Sequence, residues 1–397
     1  MGKTASRLGP GAVTAVCFLI AAIEGYDIQA FGVAAPQLVP ELGLAADQQG
    51  WAASMAMVGL VIGAFAGGWL ADRTGRKPVL IASVVGFGVC SIWTALTHDY
   101  ESLLAARFVT GLGFGGALPN LIAIASEISR PERRGATTSA MFCGMPAGGA
   151  VVSLVARMMG DGLDWRAVFI AGGVIPLLLV PVIVFLLPET RPPAHPDADR
   201  RVLRGLFAEG LAVPTLLLWG VNILTLLVLY LMLNWLPSLV VAKGHSPADG
   251  AVASLLFNLV GVAGALLLGL LVDRAGFRWS LLVAYAALAA AMFALGRSAD
   301  VGAILALSAA AGFLVLGAQY ALYSLAPMLY DPAVRAAGAG AAVGFGRFGS
   351  IIGPLLAGEL RHIGWSAGQV LDAMAPVAVA AGLGVFALTF LAKLRRD

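Results

Sequence analysis

The chain is a succession of apolar runs, each about as long as a bilayer is thick, separated by short charged clusters. About 20 apolar residues are needed for a helix to cross the hydrocarbon core. No water reaches backbone N–H and C=O groups there, so a chain with many such runs must bundle as membrane-spanning helices. Charged residues make up 12% of the chain, against roughly 25% in soluble domains, and they gather between the runs. Twelve spans are expected, at 11–36, 48–70, 78–97, 101–128, 136–160, 165–187, 211–240, 249–272, 278–298, 301–329, 336–359 and 367–392. The 50 glycines suit close helix packing in lipid. Lys3 and Arg7 precede an apolar segment without a small-residue cleavage site, so it is expected to be retained as the first span. The fold class expected is an all-α membrane protein.

Lys and Arg placement sets the expected topology. Eighteen fall on one side of the spans and four on the other (Arg166, Lys243, Arg297 and Arg361), with Arg107, Arg157 and Arg347 inside spans. The rich side is therefore cytoplasmic, and both termini lie there. The longest connection, Pro188 to Gly210, is rich in proline and charge and separates two halves. The expected organisation is 1–190, a cytoplasmic linker 191–210, and 211–397. The halves repeat one another. Gly68-Trp69-Leu70-Ala71-Asp72-Arg73-Thr74-Gly75-Arg76-Lys77 returns as Gly269-Leu270-Leu271-Val272-Asp273-Arg274-Ala275-Gly276-Phe277-Arg278, an offset of 201 residues. The same offset aligns Pro131 with Pro332, Arg134 with Arg335, Gly116 with Gly317 and Gly148 with Gly349. Six-span halves in parallel repeat describe the major facilitator architecture.

Several function classes are excluded. A net charge of +3 without a basic stripe gives no footprint for nucleic acid. There is no nucleophile elbow, Walker loop or histidine cluster, so no catalytic residue and no enzyme is expected. Cys17, Cys90 and Cys143 lie in apolar runs at spacings that fit no metal site, so neither a metal nor another cofactor is expected.

Three groups of segments carry a resemblance. Residues 67–78, GGWLADRTGRKP, resemble the loop signature of the major facilitator superfamily. Glu24-Gly25-Tyr26-Asp27 looks like the acidic span 1 signature of its aromatic acid:proton symporter family, and 107–127 and 346–358 are similar to spans 4 and 11 of that family. Within it, Glu24, LPNLIAIASE, MFCGMPAGGA, LNWLPSLVV and LYSLAPMLY look closest to the branch that carries 3-(3-hydroxyphenyl)propionate. The resemblance implies a proton-coupled importer of an aromatic carboxylate, acting as a monomer in a bacterial inner membrane. It also implies a cytoplasmic latch of Asp72, Arg73, Arg76 and Glu127, repeated in part as Asp273 and Arg274, with no role in substrate binding.

Ionisable residues are costly inside a membrane, so they are functional candidates. Glu24 and Asp27, three residues apart on one helix, share a face and are the candidate proton carriers. Arg347 is near the middle of span 11, and its planar fork suits a carboxylate. Arg107 in span 4 is a second candidate ligand or gating group. Asn120, Tyr230, Asn234, Trp235, Gln319, Tyr320 and Tyr323 are candidates for the ring and its hydroxyl. The expected cycle protonates the span 1 acids, docks the anion on Arg347 and rocks the halves. A drug or metabolite exporter shares the fold and loop signature, but the acid pair and Arg347 favour an organic anion.

Overall fold

A computed structural model describes residues 10–128, 141–159, 162, 164–187, 189, 206–207, 210–331 and 334–392. It divides into two compact units, Met1–Ala194 and His195–Asp397, and the division falls inside 191–210. In the first unit the helices are α1 (Pro10–Glu41), α2 (Ala46–Thr74), α3 (Arg76–Ala95), α4 (Tyr100–Ile128), α5 (Gly144–Met159) and α6 (Trp165–Leu186). The second holds α7 (Ala212–Ala242), α8 (Pro247–Ala275), α9 (Phe277–Arg297), α10 (Val301–Leu325), α11 (Arg335–His362) and α12 (Ala367–Leu391). Among the described residues, 11 helices are long and apolar enough to cross a membrane, and α5 is a shorter apolar helix.

The 201-residue repeat is a repeat of packing. In the first unit α1 lies on α5, α2 on α4, and α3 on α6; in the second α7 lies on α11, α8 on α10, and α9 on α12. Glycines make these contacts possible, because without a side chain two helix backbones can approach closely. A Cβ on Gly148 would strike the Ala22 carbonyl, and one on Gly349 would strike the Ile223 carbonyl. Gly111 meets Ala56 in the same way that Gly312 meets Phe257. In each pair both residues are shifted by 201.

The helix ends repeat as well. Gly75 and Gly276, at φ 99° and 81°, turn the chain between α2 and α3 and between α8 and α9. These are left-handed values that glycine adopts without a Cβ penalty. Asp99 accepts from the Ser102 amide at 2.9 Å and Asp300 from the Ala303 amide at 2.8 Å, capping α4 and α10.

Three helices depart from the expected spans. α1 runs through Pro36 and Pro40 to Glu41 instead of ending near 36, because a membrane bundle tolerates the lost donors. α5 begins at Gly144, with Pro146 in its first turn, where a missing N–H leaves no gap in the ladder. The upstream part of that expected span, through 140, lies outside the described residues. α12 is interrupted at Ala373, close before Pro376, which offers no N–H to the Asp372 carbonyl.

Candidate functional site

In the first unit, Glu24 and Asp27 are both fully buried on α1. Gly25 between them lets α1 touch α5, where a Cβ would strike the Met145 carbonyl. Asp27 accepts a hydrogen bond from Ser91 Oγ of α3. On its other oxygen it forms an ion pair with Nη1 of Arg107 on α4, at 3.5 Å. Arg107 is also fully buried, with its guanidinium 5.4 Å from the Phe31 ring centre and 5.8 Å from that of Phe169. Its Nε and Nη2 have no hydrogen-bond partner among the described residues. Ser91 Oγ lies 2.9 Å from the Phe169 carbonyl too. A hydroxyl has one proton to donate, so Ser91 faces two acceptors with a single donor. Gly172 of α6 leaves room for this group, since a Cβ there would sit 3.0 Å from Asp27 Oδ1 and 3.2 Å from Ser91 Oγ.

In the second unit, Arg347 of α11 is almost fully buried and its Nη1 donates to Tyr230 Oη of α7 at 2.8 Å. Tyr323 of α10 interacts with the charge of Arg347 and with the Gln319 side chain. Gln319 Nε2 also donates to Asn222 Oδ1 of α7 at 3.1 Å, and Asn222 Nδ2 donates to the Leu218 carbonyl at 2.9 Å. Tyr320 meets Tyr323 edge-on, with ring centres 6.1 Å apart. These contacts join Arg347, Tyr230, Tyr323, Gln319 and Asn222 into one polar cluster on three helices.

Other candidates stand outside these clusters by their contacts. Asn120 donates to Gly116 O at 2.7 Å and Asn234 to Tyr230 O at 2.9 Å, so both amides return donors to their own helices. The Trp235 indole N–H binds Pro354 O at 3.0 Å and ties α7 to α11. At the loop, Asp72, Arg73, Asp273 and Arg274 are exposed, and the Arg73 guanidinium lies 3.6 Å from the Trp69 ring centre. The Glu127 side chain lies outside the described residues. Glu189, absent from the sequence candidates, accepts from the Arg76 amide at 2.9 Å and so covers the positive N-terminus of α3. Ser91 and Asn222 were also missed. Each is a small polar side chain inside an apolar run, a signal shared with residues such as Asn120 and Ser153 that bond back to their own helix.

The repeat does not extend to this chemistry. Thr225 occupies the repeat position of Glu24 and pairs with Tyr285 Oη at 2.5 Å, a neutral contact where the first unit has an acid. Pro146 occupies the repeat position of Arg347.

The sequence profile described as Major Facilitator Superfamily matches residues 17–354. The chain is 42% identical over 373 residues to the 3-(3-hydroxy-phenyl)propionate transporter of Escherichia coli strain K12, covering 94% of this chain and 92% of that protein. It is 34% identical to the 4-hydroxybenzoate transporter PcaK of Pseudomonas aeruginosa, covering 93% and 90%. Among solved structures, the D-xylose-proton symporter superposes with a TM-score of 0.75 at 19% identity, covering 98% of each chain, a likeness of fold alone. The chain belongs to the major facilitator superfamily, grouped with its aromatic-acid transporters, and is a membrane transporter and not an enzyme.

Proposed function

We propose that the protein imports 3-(3-hydroxyphenyl)propionate or a related hydroxylated aromatic acid together with protons, by alternating access. The observation that carries this reading is the fully buried Asp27–Arg107 pair with Ser91 beside it. An ionised carboxylate fits this place because Arg107 compensates its charge. A protonated one fits because it donates to Ser91, which then donates to the Phe169 carbonyl and leaves neither acceptor unmet. A buried acid with two satisfied states can load and release a proton. Glu24, one turn away and equally buried, is the second candidate carrier.

Arg347 holds the substrate carboxylate. It stays charged through the cycle, its fork matches a carboxylate, and Tyr230 orients it from one side. The aromatic substrate class is supported by the E. coli and P. aeruginosa relatives and by the tyrosines around Arg347. Positive charge concentrated on one side of the spans supports a bacterial inner-membrane location with both termini cytoplasmic. Asp72, Arg73, Arg76 and Glu127, with Asp273 and Arg274 as their partial repeat, would hold a cytoplasmic latch, and Glu189 joins it through the Arg76 amide.

The test is binding and counterflow in proteoliposomes. Excess unlabelled 3-(3-hydroxyphenyl)propionate inside should drive labelled substrate in without any ion gradient. Arg347→Ala should weaken apparent affinity by about 10- to 100-fold, the value of a charge-assisted bidentate contact. Equal affinity in wild type and variant would remove Arg347 from the site. Absence of counterflow in wild type would refute the substrate.

A further inference from the structure

The hydrogen-bond order in the second unit leaves one strong acceptor over. Asn222 Nδ2 donates to the Leu218 carbonyl at 2.9 Å, which turns its Oδ1 toward α10. Oδ1 can only accept, so Gln319 must present its NH2 there, and it does so at 3.1 Å. Gln319 also interacts with the Tyr323 side chain. With its NH2 turned to Asn222, Gln319 leaves its carbonyl Oε1 buried with no hydrogen-bond partner among the described residues. Gln319 is 2% exposed. A buried carbonyl without a donor costs free energy, so this arrangement persists most readily where something brings a donor to it. Gln319 sits one helical turn from Tyr323, about 6 Å along α10, and Tyr323 lies within the field of Arg347. Carboxylate anchor and orphan acceptor therefore belong to one cluster.

We infer that Gln319 Oε1 accepts a hydrogen bond from the ring hydroxyl of the substrate, and that Asn222 is the positioning residue that makes the site read a donor. This rests on the proposed aromatic-carboxylate function and adds to it a chemical rule. The site selects a hydroxyl that donates, and a substituent of similar polarity that only accepts gains nothing. Without Asn222, the Gln319 amide is free to turn and offer either end.

The wild-type protein tests the rule directly. Uptake of labelled 3-(3-hydroxyphenyl)propionate into proteoliposomes is competed with the unlabelled acid, with 3-phenylpropionate and with 3-(3-methoxyphenyl)propionate. The hydroxyl acid should compete at concentrations about tenfold or more below both others, with the methoxy acid no better than the unsubstituted one. Gln319→Leu should bring the hydroxyl acid down to the level of 3-phenylpropionate, read as the ratio of the two competing concentrations within the variant. Asn222→Leu should narrow the gap between hydroxyl and methoxy acids. Competition by the methoxy acid within about threefold of the hydroxyl acid overturns the inference, whether or not the variants fold. So does full discrimination retained in Gln319→Leu. Failure of all three acids to compete would contradict the aromatic-carboxylate reading itself, a different result from loss of discrimination alone.

Discussion

Asp27 is held in a place where either protonation state has partners, and its removal separates two roles. Asp27→Asn keeps the shape and the contact to Ser91 but cannot carry a proton. It should abolish accumulation driven by a proton gradient while leaving counterflow exchange intact, as measured in the same proteoliposomes. Asp27→Ala is different, because it leaves the fully buried Arg107 without its counter-charge. Such a loss costs about 3–5 kcal/mol, so the purified variant should melt well below wild type, and adding Arg107→Leu should recover part of the loss. Equal melting of Asp27→Ala and wild type would mean that the pair contributes nothing. The charged members of both clusters were legible in the sequence, because an ionisable residue inside an apolar run is too costly to persist there without a use. Ser91 and Asn222 were not. Polar side chains in spans commonly bond back to their own helix, as Asn120, Asn234, Asn258, Thr110 and Ser153 do. Only the fold shows that Ser91 reaches across to α1 and Gln319 across to Asn222.

Helix pairs in each unit rest on glycines whose missing side chains let backbones touch, and that dependence is specific to position. Gly148→Leu should drive a side chain into the Ala22 carbonyl on α1 and lower stability by about 1–3 kcal/mol or prevent folding. Gly68→Ala has open space around its Cβ and should leave the melting temperature unchanged or slightly raised. Thermal unfolding in detergent compares the two, and similar losses at both sites would contradict the role of close backbone packing. The cap at the start of α4 carries a pH dependence. The backbone amide and hydroxyl of Ser102 hold the Asp99 carboxyl below its usual range. Its contribution is thus present above the ordinary carboxylate pKa and lost as pH falls through the lowered folded value. The melting difference between wild type and Asp99→Ala should shrink on acidification, and a difference that widens would be wrong in sign. At this scale the sequence was most readable. Apolar length gives the helices, and the 201-residue offset gives the likeness of the two halves, because glycines, caps and turns repeat with the spans; which helices pair is seen only in the fold. The ends were less so. α1 outruns Pro36 because lipid and neighbouring helices tolerate a proline that would stop a helix in water.

The duplicated six-helix unit supplies a repeated scaffold, while the chemistry has diverged between the copies. Asp27, Arg107 and Ser91 belong to the first unit, and Arg347, Tyr230, Gln319 and Asn222 to the second. Under the proposed function, proton handling and anion binding fall to different copies of one fold, and transport requires both. One proton carried with a monoanion moves no net charge, so only the pH difference drives accumulation. A second proton would add about 2.3 kcal/mol per 100 mV of membrane potential, and Glu24 beside Asp27 offers a place for it. Uptake of labelled 3-(3-hydroxyphenyl)propionate into proteoliposomes, with and without an imposed inward proton gradient, tests this coupling most directly. Transient accumulation above the external concentration is expected, collapsed by a protonophore and lacking in Asp27→Asn. Uptake that proceeds at the same rate and to the same level without the gradient would contradict proton coupling.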